Sequence, residues 1–156
     1  MEYFELGDLQ THLGRPLPEW EAQHVAHQLL EGLEQLRLNG FAHRDVKPAN
    51  IFVVRKGPDW WAKTGDFGIS KRVHEGRTFL RTAVGALGFI APEVVVNQES
   101  DLQYTDKVDM RSLGVLVHYM ITATLPFNKE TELRRCIENC DFPESALGSL
   151  GPTVGK

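Results

Sequence analysis

HRDVKPAN, residues 43–50, is the stretch whose reading decides the fold. It brings a carboxylate (Asp45), a cation (Lys47) and an amide (Asn50) together just ahead of an apolar run, IFVV at 51–54. Taken singly, these residues have ordinary uses: Asp45 as a turn former, Asn50 as a cap, His43 as a hydrogen-bonded core histidine. Two tripeptides follow in order, DFG at 66–68 and APE at 91–93. Each is common by chance, but the three in sequence, with Lys47-Pro48 inside the first, form a specific pattern.

On the N-terminal side, PLPEWEAQHVAHQLLEGLEQLRLNG sets Ala22, Ala26, Leu29, Leu30, Leu33 and Leu36 at helical spacing, which predicts a helix with one apolar stripe. Pro18 suits its first turn and Gly40 its stop. Residues 41–50 break that period, and 51–54 read as a short strand. A turn at Gly57-Pro58 leads to a second strand at Trp61 to Thr64, giving a small β ribbon. Residues 65–92 hold five glycines and no sustained period, so a long structured loop is expected there. Lys107 to Thr122 resumes a helical pattern dense enough in Val, Leu, Met and Ile that both faces are expected to be covered. Glu130 to Asn139 predicts one further amphipathic helix before a Gly-, Ser- and Pro-bearing tail.

The 156 residues suffice for one core, since a chain near this size buries roughly 68–70% of its unfolded surface. Hydrophobic residues at 42% and charged residues at 24% fit a soluble globular domain, and neither repeats nor low-complexity tracts interrupt it. A formal charge of -4 gives no basic footprint for nucleic acid, and the apolar stretch Leu113 to Leu125 is too short to cross a bilayer, so neither nucleic acid nor membrane is expected as a partner. The two cysteines, Cys136 and Cys140, stand four apart on the last expected helix and read as reduced thiols. With no secretory signal at the start, a cytosolic (cytoplasmic) or nuclear location is expected.

The HRD…N, DFG and APE set resembles the eukaryotic protein kinase family, in which these motifs occur in this order. The resemblance covers nearly all of residues 1–145. It implies an α+β, mainly α fold: the helical C-lobe of a kinase with short β ribbons and a long activation segment. Residues 1–8 match the hinge between kinase lobes, 9–145 the C-lobe to about the helix near Asn139, and 146–156 a flexible tail. The implied activity is transfer of the ATP γ-phosphoryl group to Ser or Thr hydroxyls of protein substrates, because Lys47 in RDxKPxN is the Ser/Thr-kinase form.

By that resemblance Asp45 is the catalytic carboxylate that orients the substrate hydroxyl and accepts its proton, and Lys47 contacts the transferred phosphate. Asn50 and Asp66 are the implied Mg²⁺ ligands. Met1, Glu2, Phe4, Asp8, Lys47, Asn50, Phe52 and Asp66 are the implied ATP-binding residues, with Met1 behind the adenine, the backbone of Glu2 and Phe4 on its edge, and Asp8 toward the ribose or a basic substrate residue. His43 packs with Phe67, and Asp109 ties down the catalytic loop. Thr82 is the implied activation-segment phosphosite, read by Arg44 and Lys71 and filled by an upstream activating kinase, with Thr78 as the second choice.

Some residues depart from the family pattern. No GxGxxG or VAIK-type lysine lies within the 156 residues, so the isolated chain is expected to be weak or inactive. Glu93 is expected to lack the arginine that later kinase helices supply. Ala86 replaces a threonine and Arg111 a tryptophan. The alternative is a catalytically silent kinase-like binding or regulatory module, though Asp45, Lys47, Asn50 and Asp66 all remain in place.

Overall fold

The computed structural model describes residues 3–65, 88–89, 107–127, 132 and 135, together with the backbone of 71–72. The chain enters through a 3-10 turn, Leu9–His12, whose N-cap Asp8 accepts a hydrogen bond from the Thr11 N–H. Helix α1 follows at Glu19–Leu38. Pro18 is its N-cap, one position outside the expected first turn, and the Pro18 carbonyl accepts from Glu21 N and Ala22 N at 3.0 Å each. Glu19 and Glu21 in the first turn suit the positive end of the helix dipole. The helix stops where Gly40 takes φ +77°, a left-handed conformation open to glycine, and its N–H reaches Arg37 O at 2.9 Å.

The buried stripe of α1 is Ala22, Val25, Leu29 and Leu33. Val25 belongs to it, whereas Leu30 is 41% exposed. Residues 22, 25, 29 and 33 share one arc at 3.6 residues per turn, and position 30 is turned about 100° from Leu29. Ala26 and Leu36 border the stripe, half-buried.

The expected ribbon is present as β2, Ile51–Arg55, paired antiparallel with β3, Trp61–Thr64. Ile51 faces Thr64 and Val53 faces Ala62; the register shifts between Val53 and Arg55. Ile51, Val53 and Ala62 point into the core beneath α1. Gln28 of α1 locks helix to strand: its Nε2 donates to Trp60 O at 2.8 Å and its Oε1 accepts from Ala62 N at 2.9 Å. Trp60 Nε1 donates to the Glu21 carboxylate. A second ribbon, β1 (Phe41–Ala42) with β4 (Lys71–Arg72), lies where only a loop was expected, because two-residue strands carry no readable alternation.

Helix α2 spans Lys107–Thr122. Leu113, Val115, Leu116 and Met120 join the core formed by Leu9, Leu13, Leu17, α1 and the ribbon. Leu17 N donates to Met120 O at 2.7 Å, closing the start of α1 onto the end of α2. The expectation that both faces of α2 are covered is corrected: Met110 is 53% exposed and Gly114 is open to solvent. The open strip is narrow: Val108, Leu113, Val115, Leu116 and Met120 are buried, and Val117 and Ile121 pack half-buried against the core. Of the helix expected at 130–139, residues 132 and 135 are helical and the others lie outside the described residues. Among the described residues no helix is long and apolar enough to cross a membrane.

Candidate catalytic site

The loop from His43 to Asn50 joins β1 to β2 and ends in a 3-10 turn at Pro48–Asn50. Pro48 begins that turn, where its missing N–H is no loss, and Asn50 N closes it on Lys47 O at 2.9 Å. The turn brings three side chains together. Asp45 Oδ2 accepts from Lys47 Nζ at 2.6 Å and from Asn50 Nδ2 at 2.7 Å, and the same Nδ2 also donates to Asp45 O at 2.8 Å. Both side-chain donors fall on one carboxylate oxygen, so Oδ1 is the oxygen left to accept a bond from an incoming hydroxyl. Asn50 is buried and its amide nitrogen is committed to Asp45, which aims its carbonyl oxygen, a hard donor suited to Mg²⁺, away from that residue.

Asp109, near the start of α2 and only 4% exposed, holds this loop from 65 residues away in sequence. Its Oδ2 accepts from His43 N at 2.8 Å and its Oδ1 from Arg44 N at 2.7 Å. Arg44 adopts φ +68°, unfavourable for a residue with a Cβ, and the Asp109 bond to its N–H helps hold it there. Burial pushes the Asp109 carboxyl above its ordinary 3.8, against the lowering effect of both backbone bonds and of the His43 and Arg44 charges. With the folded value raised above the unfolded one, the native state holds this proton the more tightly. The contribution is fully present below pH 3.8 and is lost as pH rises through the folded value. The stability difference between wild type and Asp109→Asn is therefore expected to be wider at about pH 4 than at about pH 7 in denaturant titrations.

Gly65, a residue that sequence reasoning missed, is clamped on both sides: its N–H donates to Asn50 O at 2.9 Å and its carbonyl lies 3.0 Å from His43 Nε2. A lone glycine before Asp66 was the available signal. His43 is fully buried, and its Nδ1 faces the Asp45 N–H at 3.4 Å. A Cβ on Gly65 would run into the Phe52 ring, which is itself stacked on Phe4 with centroids 5.1 Å apart. Gly65→Ala is expected to cost about 1–3 kcal/mol by overpacking. Adding Phe52→Leu should recover most of that loss, which a double-mutant cycle in urea would read as a coupling of at least about 0.5 kcal/mol.

The other expected site residues are distributed as follows. Asp8 spends Oδ1 on Thr11 N at 3.0 Å and bridges to Phe52 through the backbone, leaving one carboxylate oxygen for a ligand. The Phe4 carbonyl accepts from Gly7 N at 3.0 Å, so of its backbone groups the N–H is the one left for a base edge. Arg44 is half-buried beside Asp45, and Lys71 stands in β4 opposite Ala42. Arg111 lies over the Phe127 ring at 4.8 Å. Met1, Glu2, Asp66, Phe67, Thr78, Thr82, Ala86 and Glu93 lie outside the described residues.

Residues 1–146 match the protein kinase domain family. The serine/threonine-protein kinase cds1 of Schizosaccharomyces pombe is 40% identical over 142 residues, covering 88% of this chain and 30% of the relative. The serine/threonine protein kinase OSK3 of Oryza sativa subsp. indica is 36% identical over 133 residues, 83% of this chain and 25% of the relative. The solved structure of the Rad53 kinase domain and SCD2 superposes with a TM-score of 0.74 at 28% identity, covering 97% of this chain and 53% of that one. The chain belongs to the protein kinase domain family, and it spans only a quarter to a third of the length of these curated relatives.

Proposed function

We propose that this chain supplies the catalytic loop of an ATP- and Mg²⁺-dependent Ser/Thr protein kinase. The observation that carries the reading is the Asp45 carboxylate, with one oxygen fixed by Lys47 and Asn50 and the other turned free. Oδ1 would orient the substrate Ser or Thr hydroxyl and take its proton as the oxygen attacks the γ-phosphorus, with ADP as the leaving group. Lys47 would exchange its bond to Asp45 for the transferred phosphate. Asn50 and Asp66 are the residues that would hold Mg²⁺, which when bound offsets the charge of the phosphates. Asp66 follows directly on Gly65, whose backbone is tied to Asn50. A Rad53 structure solved in complex with AMP-PNP, 30% identical to this chain, supports a nucleotide as the donor.

The 156 residues by themselves carry neither a Gly-rich phosphate loop nor a strand lysine for the α- and β-phosphates, so alone they should transfer little. Thr82, read by Arg44 and Lys71, is the proposed switch that an upstream kinase would set. The test joins the chain, at residue 1, to the nucleotide-gripping lobe of the cds1 kinase and follows labelled phosphate from ATP into a mixed protein substrate. Phosphoserine and phosphothreonine are the expected products. A chimaera that melts cooperatively but transfers nothing, or labels tyrosine, would overturn the proposal.

A further inference from the structure

Arg111 stands on α2 where the family pattern has a tryptophan, and the proposed phosphoryl transfer makes no use of it. Its guanidinium carbon lies 4.8 Å from the centroid of the Phe127 ring. Nε and Nη2 are both buried and have no hydrogen-bond partner among the described residues. We propose that this edge of Arg111 is a binding site for a carboxylate, held by two parallel N–H···O bonds.

Nε and Nη2 share one side of the planar guanidinium, so their N–H bonds point the same way at a spacing that matches the two oxygens of a carboxylate. Bare donors scattered over a side chain would signal loose packing; two on one edge make a fork. A buried donor without an acceptor costs the folded state the hydration it has given up, and a charged one costs more than an amide. An acceptor that fills both positions at once removes that cost.

Phe127 is 4% exposed and closes one face of the guanidinium plane. Stacking of this kind fixes the plane and leaves its rim to bond. A flat, singly charged carboxylate suits that rim, whereas a tetrahedral phosphate would bring more charge and bulk into a space shut off from solvent.

The neighbours on α2 are already committed. Asp109 spends both oxygens on the amides of His43 and Arg44, so the acidic group closest along the helix does not fill the fork. Ser112 Oγ donates to Phe89 O at 2.7 Å. A carboxylate seated on Arg111 would therefore tie a further group to the helical turn that sets the backbone of the catalytic loop.

The test uses the 156-residue chain with isotope-labelled arginine, in carboxylate-free buffer and in acetate. It reads two quantities, the exchange of the Arg111 Nε–H with water and the melting temperature. With a carboxylate in place, that Nε–H should exchange at least about tenfold more slowly than the one on exposed Arg15. Arg111→Met separates the alternatives by sign. Removing a bare guanidinium relieves two unpartnered donors and should leave the melting temperature unchanged or raised. Removing one that holds a carboxylate strands a buried acid and should lower it by about 5 °C or more. Arg111→Lys keeps the charge and the ring contact but not the fork, and should lower it as well. A carboxylate of this chain gives slow exchange and both drops without acetate; one from a bound molecule gives them only as acetate is added. Fast exchange in both buffers, slow exchange without the drop, or a melting temperature unchanged by Arg111→Lys would overturn the proposal.

Discussion

Asparagine in place of Asp45 should lower phosphate transfer by about 10²–10⁴-fold, the usual worth of a positioned general base. The change preserves shape and removes only charge and basicity. Asp45 Oδ2 now accepts from Lys47 and Asn50, and in the proposed reaction Oδ1 is the oxygen that would take the hydroxyl proton. An amide at this position offers one acceptor oxygen, which Lys47 and Asn50 would claim, turning an N–H₂ toward the substrate. The measurement is kcat in the lobe chimaera, with the unfolding midpoint as control. The half-buried Asp45–Lys47 pair should contribute only on the order of 1 kcal/mol to stability, so a loss of activity without unfolding is the expected signature. Activity within threefold of wild type would remove Asp45 from the chemistry.

Asp109→Ala should cost about 2–6 kcal/mol, since it strands two backbone donors at roughly 1–3 kcal/mol each. A domain with about 5–15 kcal/mol of total stability would survive at reduced melting temperature or be left marginal. The same change frees Arg44 to leave its φ of +68°, and the loop that carries Asp45 would relax with it. Urea unfolding and hydrogen exchange at the His43 and Arg44 amides are the measurements. Exchange at those amides as slow as in wild type would show that Asp109 is not what holds them.

Much of this architecture was legible because its signals are local. Asp45, Lys47 and Asn50 lie within six residues and meet through one 3-10 turn, so their motif and their geometry are nearly the same statement. Strands β2 and β3 were readable as apolar runs on either side of a Gly-Pro turn. What depends on distant partners was harder to read. The place of Asp109 came only through family likeness, because nothing near VDMRSLGV says that its carboxylate meets His43 and Arg44. Leu30 and Val25 were ranked wrongly because composition says which residues are apolar, while the ribbon beneath α1 decides which arc is covered. Gly65 went unnoticed since its role is the absence of a side chain where Phe52 already stands.

The bond between His43 and Asp109 crosses 66 positions of chain, and the closure of Leu17 on Met120 crosses more still. During synthesis, α1 and the β2–β3 ribbon can associate through near neighbours long before α2 has left the ribosome. The loop bearing Asp45 would then exist for a time without the carboxylate that sets its backbone. The set geometry of that loop thus waits on α2, and a polypeptide released before α2 should be compact yet lack it.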